Sequence, residues 1–138
     1  THQTGQIVFG GQATITSTTA NVATSETTTS TTYTDLATAG PSITLSPGRT
    51  TDQMIFVTSR GSNNTASNGW IMSPAIAGAA ASDTNALIGA GAGGAEFRFS
   101  AATLAASVAN GSTHTAKYRV TGNTGTFLDR RISAFTLN

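Results

Sequence analysis

The 138-residue chain is long enough for one domain with a single hydrophobic core and too short for two substantial ones. Charged residues make up only 9% of it and the formal net charge is +1, which argues against nucleic acid or any other strongly charged polymer as a partner. The absence of cysteine excludes disulfides and thiolate metal sites, and no apolar run approaches the ~20 residues of a membrane helix, so no membrane partner is expected.

The first part of the chain, residues 1–26, is predicted to be an arm with short strands that precedes a domain over residues 27–138. Between residues 18 and 32 the chain is almost wholly Thr, Ser and Ala with Glu26, and it contains nothing large to bury. Such a stretch is an edge strand, a linker or an arm that orders on a neighbour, and we favour the arm.

Alternating or continuous apolar residues predict strands along the middle of the chain. Residues 54–57, Met-Ile-Phe-Val, are a continuous apolar run that fits a central strand covered on both faces. Pro74 cannot donate to a ladder, so the strand that contains it is expected at an edge or at a bulge. Residues 96–100 alternate cleanly, and Phe97 and Phe99 are predicted to point into the core.

The last quarter of the chain is predicted to be the spine of the domain. Ala116, Tyr118 and Val120 alternate with polar residues, which indicates a half-buried strand. Residues 122–125, Gly-Asn-Thr-Gly, tolerate positive φ, so a hairpin with a second strand is expected. The alternation slips around residues 129–131, Asp-Arg-Arg, and a bulge there would explain the slip, because one extra residue re-aims every side chain after it.

About eight to ten short strands, with turn signals roughly every 8–12 residues, are typical of a β-sandwich or a β-barrel. No segment offers the crossover helices that a parallel sheet needs. The sequence therefore predicts an all-β fold with one core.

The chain offers little for catalysis or for cofactor binding. Its six acidic residues are scattered and lie mostly beside turns, where Asp bonds its own backbone. The two histidines, His2 and His114, have no acid cluster or serine elbow near them and are predicted to face solvent. The glycine-rich residues 89–94 lack the Lys-Ser/Thr pair of a phosphate cradle and are predicted to be a flexible loop. We therefore predict no enzyme activity, no catalytic residue, no metal and no cofactor.

Two patterns allow either a binding role or a plain structural one. The Asp-Arg-Arg of residues 129–131 is the densest charge group, and its arginines lie at an exposed strand end, point inward or cross a subunit boundary. Trp70 follows an Asn-rich loop that contains Asn63 and Asn64. A lone Trp beside amides is either a platform for a sugar ring or a core or interface residue.

Three phrases of the sequence are distinctive as a set: TTTSTTYTDLATAGPSITL at residues 27–45, AASDTNALIG at 80–89 and HTAKYRVTGNTGTFLDRRISAF at 114–135. They resemble a family of virion structural domains encoded by tailed bacteriophages, notably those of actinobacteria. The resemblance covers roughly residues 27–137. It implies a jelly-roll β-sandwich similar to the trimeric heads of tumour necrosis factor and complement-type proteins.

The motif residues of that family are all present: Tyr33, Asp35, Lys117, Tyr118, Arg119, Phe127, Asp129, Arg130 and Ile132. The resemblance implies packing and subunit contact for these positions rather than catalysis. The residues expected at a subunit interface are Tyr33, Tyr118, Arg119, Phe127, Asp129, Arg130, Arg131 and Phe135.

Two functions fit these expectations. In the first, the chain is a capsid decoration protein, a homotrimer on the virion surface that binds the major capsid protein. The arm residues expected to bind the capsid are Gln6, Ile7, Val8 and Phe9. In the alternative, it is a tail-tip or fibre head domain, a minor tail protein that binds host glycan through Asn63, Asn64 and Trp70. A third idea, ice binding, is disfavoured because regular Thr-x-Thr repeats are missing.

Overall fold

The computed structural model describes residues 15–91 and 93–137. Within these residues the strands are β1 (Ser17–Val22), β2 (Glu26–Thr28), β3 (Ser42–Leu45), β4 (Thr51–Asn63), β5 (Gly69–Ala75), β6 (Leu87–Ala90), β7 (Phe97–Val108), β8 (Ser112–Val120) and β9 (Gly125–Thr136). Two single-turn 3-10 helices, Ile76–Gly78 and Asp83–Asn85, lie between β5 and β6. No helix in these two ranges is long and apolar enough to cross a membrane.

The strands form two antiparallel sheets that pack face to face. The first sheet has the order β1-β9-β4-β7, with β2 also paired to β9, and the second has the order β3-β8-β5-β6. From β3 onward the chain changes sheet after β3, β4, β6, β7 and β8, and this order is that of a jelly roll. The predicted all-β class and the jelly-roll sandwich are confirmed, and the barrel alternative is not observed.

The predicted hairpin between the last two strands is wrong. β8 lies in the second sheet between β3 and β5, whereas β9 lies in the first sheet, and residues 121–124 carry the chain across the sandwich. Tyr118 and Phe127 both face the interior, where their rings meet edge to face with centroids 5.0 Å apart. The two apolar faces are therefore buried by stacking one sheet on the other, not by pairing the strands side by side.

The predicted bulge is present in β9. The register against β4 shifts between Thr58 and Arg60, where β9 carries one residue more than its neighbour. Asp129 has a φ of 49°, a left-handed backbone conformation. As a result Arg130 turns into the interior, while Asp129 and Arg131 remain on the outer face of the sheet.

Arg130 is the one fully buried cation of the described chain, and its charge is met by several groups. Its Nη2 lies 2.8 Å from Glu26 Oε2, and its guanidinium lies over the Tyr118 ring, 5.3 Å from the centroid. Thr38 donates its backbone N–H to Glu26 Oε1 at 3.0 Å. Burial alone would raise the pKa of Glu26, but the bonds from Thr38 and the charge of Arg130 hold it below its usual value. The ion pair thus ties β2 and the chain around Thr38 to β9.

Residues 18–32 begin with edge strands. β1 pairs with residues 130–135 of β9, and β2 pairs with residues 125–127. Of the three interpretations offered, the edge strand is correct for β1 and β2, and the favoured arm is wrong for them. Small Thr and Ala side chains suffice there because an edge has little core volume to fill, as at the half-buried Ala20.

Two other strand predictions are confirmed in part. β4 is internal to the first sheet, but its outer face is not covered, since the Phe56 side chain is 37% exposed. β5 is internal to the second sheet only over residues 69–72, where β6 pairs with it. Pro74 therefore lies where β5 has no neighbour on the β6 side, which agrees with its predicted edge position.

His114 is buried, so its predicted solvent exposure is wrong. Its Nδ1 accepts the Ala77 backbone N–H at 3.2 Å, which places the ring proton on Nε2, where it is donated to Gln53 Oε1 at 2.8 Å. Burial lowers the pKa of this imidazole below its usual value, because a charged ring would lose water and would break the bond from Ala77.

Replacing Glu26 tests the buried ion pair. Glu26→Gln should lower the free energy of unfolding by about 3 kcal/mol at pH 7, because it leaves the Arg130 charge buried without a counter-charge. Urea denaturation measures this. The matched control is Glu96→Gln, which removes a carboxylate from a pair that is 42% and 44% exposed, and it should cost less than about 1 kcal/mol. Equal losses for the two variants would contradict the assigned role.

Stability should fall as the pH is lowered through the range in which His114 binds a proton only when unfolded. The unfolded ring titrates near 6.5 and the folded ring titrates lower, so the unfolded state binds more protons between the two values. The stability that neutral His114 contributes is fully present above about pH 7. As the pH falls toward the folded pKa, the free energy of unfolding decreases by up to ~1.4 kcal/mol per pH unit. The free energy of unfolding between pH 7.5 and pH 5.5 measures it. His114→Gln, which cannot titrate, should remove this slope, and an unchanged slope would contradict the assignment.

Candidate interaction surface

Three of the residues predicted for a subunit interface are core residues instead. Tyr118, Phe127 and Arg130 each have 0% exposure within the protomer. The Tyr118 hydroxyl donates to the backbone oxygen of Gly40 at 2.5 Å, and this bond anchors the chain beside β3. These side chains pack the interior and offer no surface to a second copy.

The other five predicted interface residues do not lie together. Tyr33 and Arg119 lie on the outer face of the second sheet, where the guanidinium stacks on the phenol ring at 5.5 Å. Asp129, Arg131 and Phe135 lie on the outer face of the first sheet, on the opposite side of the molecule. One flat contact cannot use both sets.

The predicted glycan site is not formed. Trp70 is fully buried, and a Cβ at Gly61 or Gly89 would come within 2.7 Å or 2.1 Å of its ring, so the indole fills the space that these glycines leave. Asn63 is also fully buried, and its amide donates to the backbone oxygens of Gly69 and Gly122. Only Asn64 is exposed. The glycines in neighbouring strands were the sequence signal for a buried Trp.

The predicted capsid-binding residues, Gln6, Ile7, Val8 and Phe9, lie outside the described residues. Their role stays a prediction.

The outer face of the first sheet carries a cluster of apolar side chains that sequence reasoning missed. We name it the apolar patch: Met54, Phe56, Ala102, Leu104 and Phe135. Register places Met54 between Phe135 and Leu104, and Phe56 beside Ala102. The rings of Phe56 and Phe135 stack with centroids 5.9 Å apart, and Leu104 is 58% exposed. The patch is therefore continuous across three strands.

Polarity rises along the same face. Next to the patch lie hydroxyl pairs that bridge neighbouring strands, such as Thr58 with Ser100 at 2.9 Å. Beyond them Asp129 Oδ2 lies 3.4 Å from Arg60 and 3.2 Å from Arg98. Arg131 has no carboxylate partner among residues 15–91 and 93–137, and it lines a shallow depression of about 310 Å³. One end of the face is apolar and the other is charged.

A second apolar surface lies at the open side of the sandwich, and we name it the seam patch: Phe97 and Phe99. Both side chains point toward the interior as predicted, but they are 45% and 38% exposed. The reason is that β6 ends at Ala90, so the second sheet does not extend over them. Phe99 packs on Trp70 at 5.7 Å and on Phe97 at 6.3 Å.

A groove of about 560 Å³ runs along β8 on the outer face of the second sheet, and we name it the β8 groove. Its lining residues are Tyr33, Thr34, Asp35, Ala75, Gly78, Ala79, Ala80, Ala81, Thr115 and Lys117. Lys117 Nζ donates to both oxygens of Asp35, at 2.8 and 2.7 Å. At one end the Tyr33 hydroxyl donates to Asp83 Oδ1 at 2.7 Å, and Arg119 donates to both Asp83 oxygens.

Tyr33 and Asp83, at one end of the groove, keep their ordinary charge states at neutral pH. Burial and the bond to Asp83 raise the pKa of Tyr33 to about 12, so its hydroxyl stays protonated at neutral pH. Bonds from Arg119 and Tyr33 hold the pKa of Asp83 below its usual value. No group of three or more histidines and acids in the described part of the chain could hold a metal ion.

No protein-family model matches the chain, and a search of curated proteins finds none with significant similarity to it.

Proposed function

We propose that the chain is a structural protein of a tailed-bacteriophage virion, a capsid decoration protein that assembles as a homotrimer and binds the major capsid protein. The three sequence phrases that resemble phage virion domains support the virion setting. The observation that carries the assembly is geometric, since one small domain exposes two separate apolar surfaces, the apolar patch and the seam patch.

The two surfaces differ in shape and position. The apolar patch is part of a flat sheet face, whereas the seam patch lies where the sandwich is open. On β7 the residues of the two surfaces point in opposite directions, Leu104 outward and Phe99 inward. An isologous dimer through either surface would leave the other in water.

A head-to-tail contact covers both surfaces at once. The apolar patch of one copy then faces the seam patch of the next, and such heterologous contacts form a ring when the rotation closes. A trimer is the smallest ring of this kind. Exposed apolar patches on soluble proteins commonly mark interaction sites. We therefore expect both the apolar patch and the seam patch to be covered in the assembled protein.

The same properties suit attachment to a shell. Each trimer presents three copies of any capsid-binding segment, so weak contacts combine by avidity. Five of the seven Lys and Arg side chains are in ion pairs within the protomer, which leaves little free positive charge to attract packaged DNA. The alternative of a tail-tip or fibre head protein loses its predicted glycan residues, since Trp70 and Asn63 are buried.

Mixing two variants tests the head-to-tail contact. Phe56→Asp disrupts the apolar patch and Phe99→Asp disrupts the seam patch, so each variant alone should be monomeric, because a buried unpaired carboxylate opposes every contact. Mixed in equal amounts, they retain one intact pair of surfaces and should form a one-to-one dimer that cannot close. Sedimentation velocity measures the three species. Thr44→Asp, on the outer face of the second sheet, is the control and should leave the trimer intact. If one variant alone still self-associates through its intact surface, that contact is isologous and the proposed head-to-tail trimer is wrong.

Copy number in the virion tests the function. Quantitative mass spectrometry of purified virions from the phage that encodes the chain should find it in a fixed ratio to the major capsid protein. A few copies per particle would instead favour the tail-tip alternative.

Deletion of residues 1–14 leaves β1 intact and should abolish capsid occupancy while the trimer persists. Unchanged occupancy would contradict the predicted role of the arm.

A further inference from the structure

The β8 groove has a form that neither subunit contact nor capsid attachment requires. One wall is the segment that carries Tyr33 and Asp35, and the other is the alanine-rich turn around Gly78. Thr115 and Lys117 of β8 line it between these walls. Gly78 has a φ of 81°, and a Cβ at this position would meet no atom within 4 Å, so this wall is low and open. The volume of about 560 Å³ is within the usual range for small-molecule sites.

The groove contains one positive and one negative side chain, Lys117 and Asp35, which lie side by side. Lys117 and Asp35 neutralise each other through two short bonds, so the groove attracts neither an anion nor a cation. Each group keeps spare capacity, because an ammonium has three donors and a carboxylate has about four acceptor sites. A donor and an acceptor are thus presented together, at the spacing of an ion pair.

This pairing matches adjacent hydroxyl groups. One hydroxyl of a vicinal diol can accept from Lys117 Nζ while its neighbour donates to Asp35. The small apolar side chains of Ala75 and Ala80 on the other wall suit the C–H face of a sugar ring. Tyr33 is held in place by Asp83 and by the stacked guanidinium of Arg119, so that end of the groove is already ordered before a ligand arrives.

From this geometry we infer that the β8 groove binds a neutral, polyhydroxylated ligand, a saccharide of one or two rings. An extended peptide is disfavoured, because β8 is already paired with β3 and β5 and has no free backbone edge along the groove. The inference does not rest on the virion role, since the groove lies on the sheet opposite the apolar patch and is formed by a single protomer.

The test uses the purified full-length chain without virions, so that its failure is distinct from failure of the proposed function. Amide spectra are recorded by NMR during titration with single neutral sugars, among them glucose, galactose, mannose, rhamnose and N-acetylglucosamine, and with glucuronate and sialic acid as charged counterparts. At least one neutral sugar should bind with a millimolar or tighter Kd and shift the amides of residues 33–35, 75–81 and 115–117.

Variants then separate binding from structure. Asp35→Asn and Lys117→Met should each weaken binding of that sugar at least about tenfold, equivalent to one hydrogen bond to a charged group. Ala80→Phe should block the groove while it leaves the Asp35–Lys117 pair intact. Thr44→Ala, on the same sheet outside the groove, should bind as the parent does. Absence of shifts for every neutral sugar, stronger binding of the charged sugars, or unchanged binding in Asp35→Asn would each overturn the inference.

Discussion

The buried contact between Arg130 and Glu26 is the constraint on which the first sheet depends. β9 lies between β4 on one side and both β1 and β2 on the other, so any change in its register moves three strands. The bulge at Asp129 permits one arginine to enter the core, and the desolvation of that charge is acceptable only because a carboxylate from β2 meets it. The edge of the sheet is therefore held by an ion pair where its Thr-rich strands supply little apolar surface.

The same bulge shapes the outer face. By turning Arg130 inward it keeps Asp129 and Arg131 outside, beside Arg60 and Arg98, so that the charged end of the face is separated from the apolar patch by a band of hydroxyls. A protein with so few charges thus keeps most of them in pairs, and several of its exposed apolar side chains cluster in the apolar patch and the seam patch. This distribution is the basis of the proposed assembly through the apolar patch and the seam patch.

The site residues taken from the resemblance do not form one site in the fold, and matching the motif alone could not predict this. Tyr118, Phe127 and Arg130 belong to the interior, and Arg119 and Asp129 belong to opposite faces. A motif records which residue types recur together, and a core residue and a contact residue are equally constrained in type. The Asp35–Lys117 pair, by contrast, joins two motif residues that are 82 positions apart in the chain, and the bridge between Thr34 and Tyr118 brings them together.

The sequence by itself determined the class of fold, the position of the bulge and, where the alternation is clear as in residues 116–120, which side chains point inward, because these properties follow from the two-residue period of an extended chain. Only the tertiary structure decided which strands are neighbours, since pairing depends on contacts between residues far apart in sequence. It placed β8 and β9 in different sheets, and it left Phe97 and Phe99 exposed because β6 is too short to cover them. The direction of a side chain is a local property of its strand, but its burial depends on which other elements of the fold cover it.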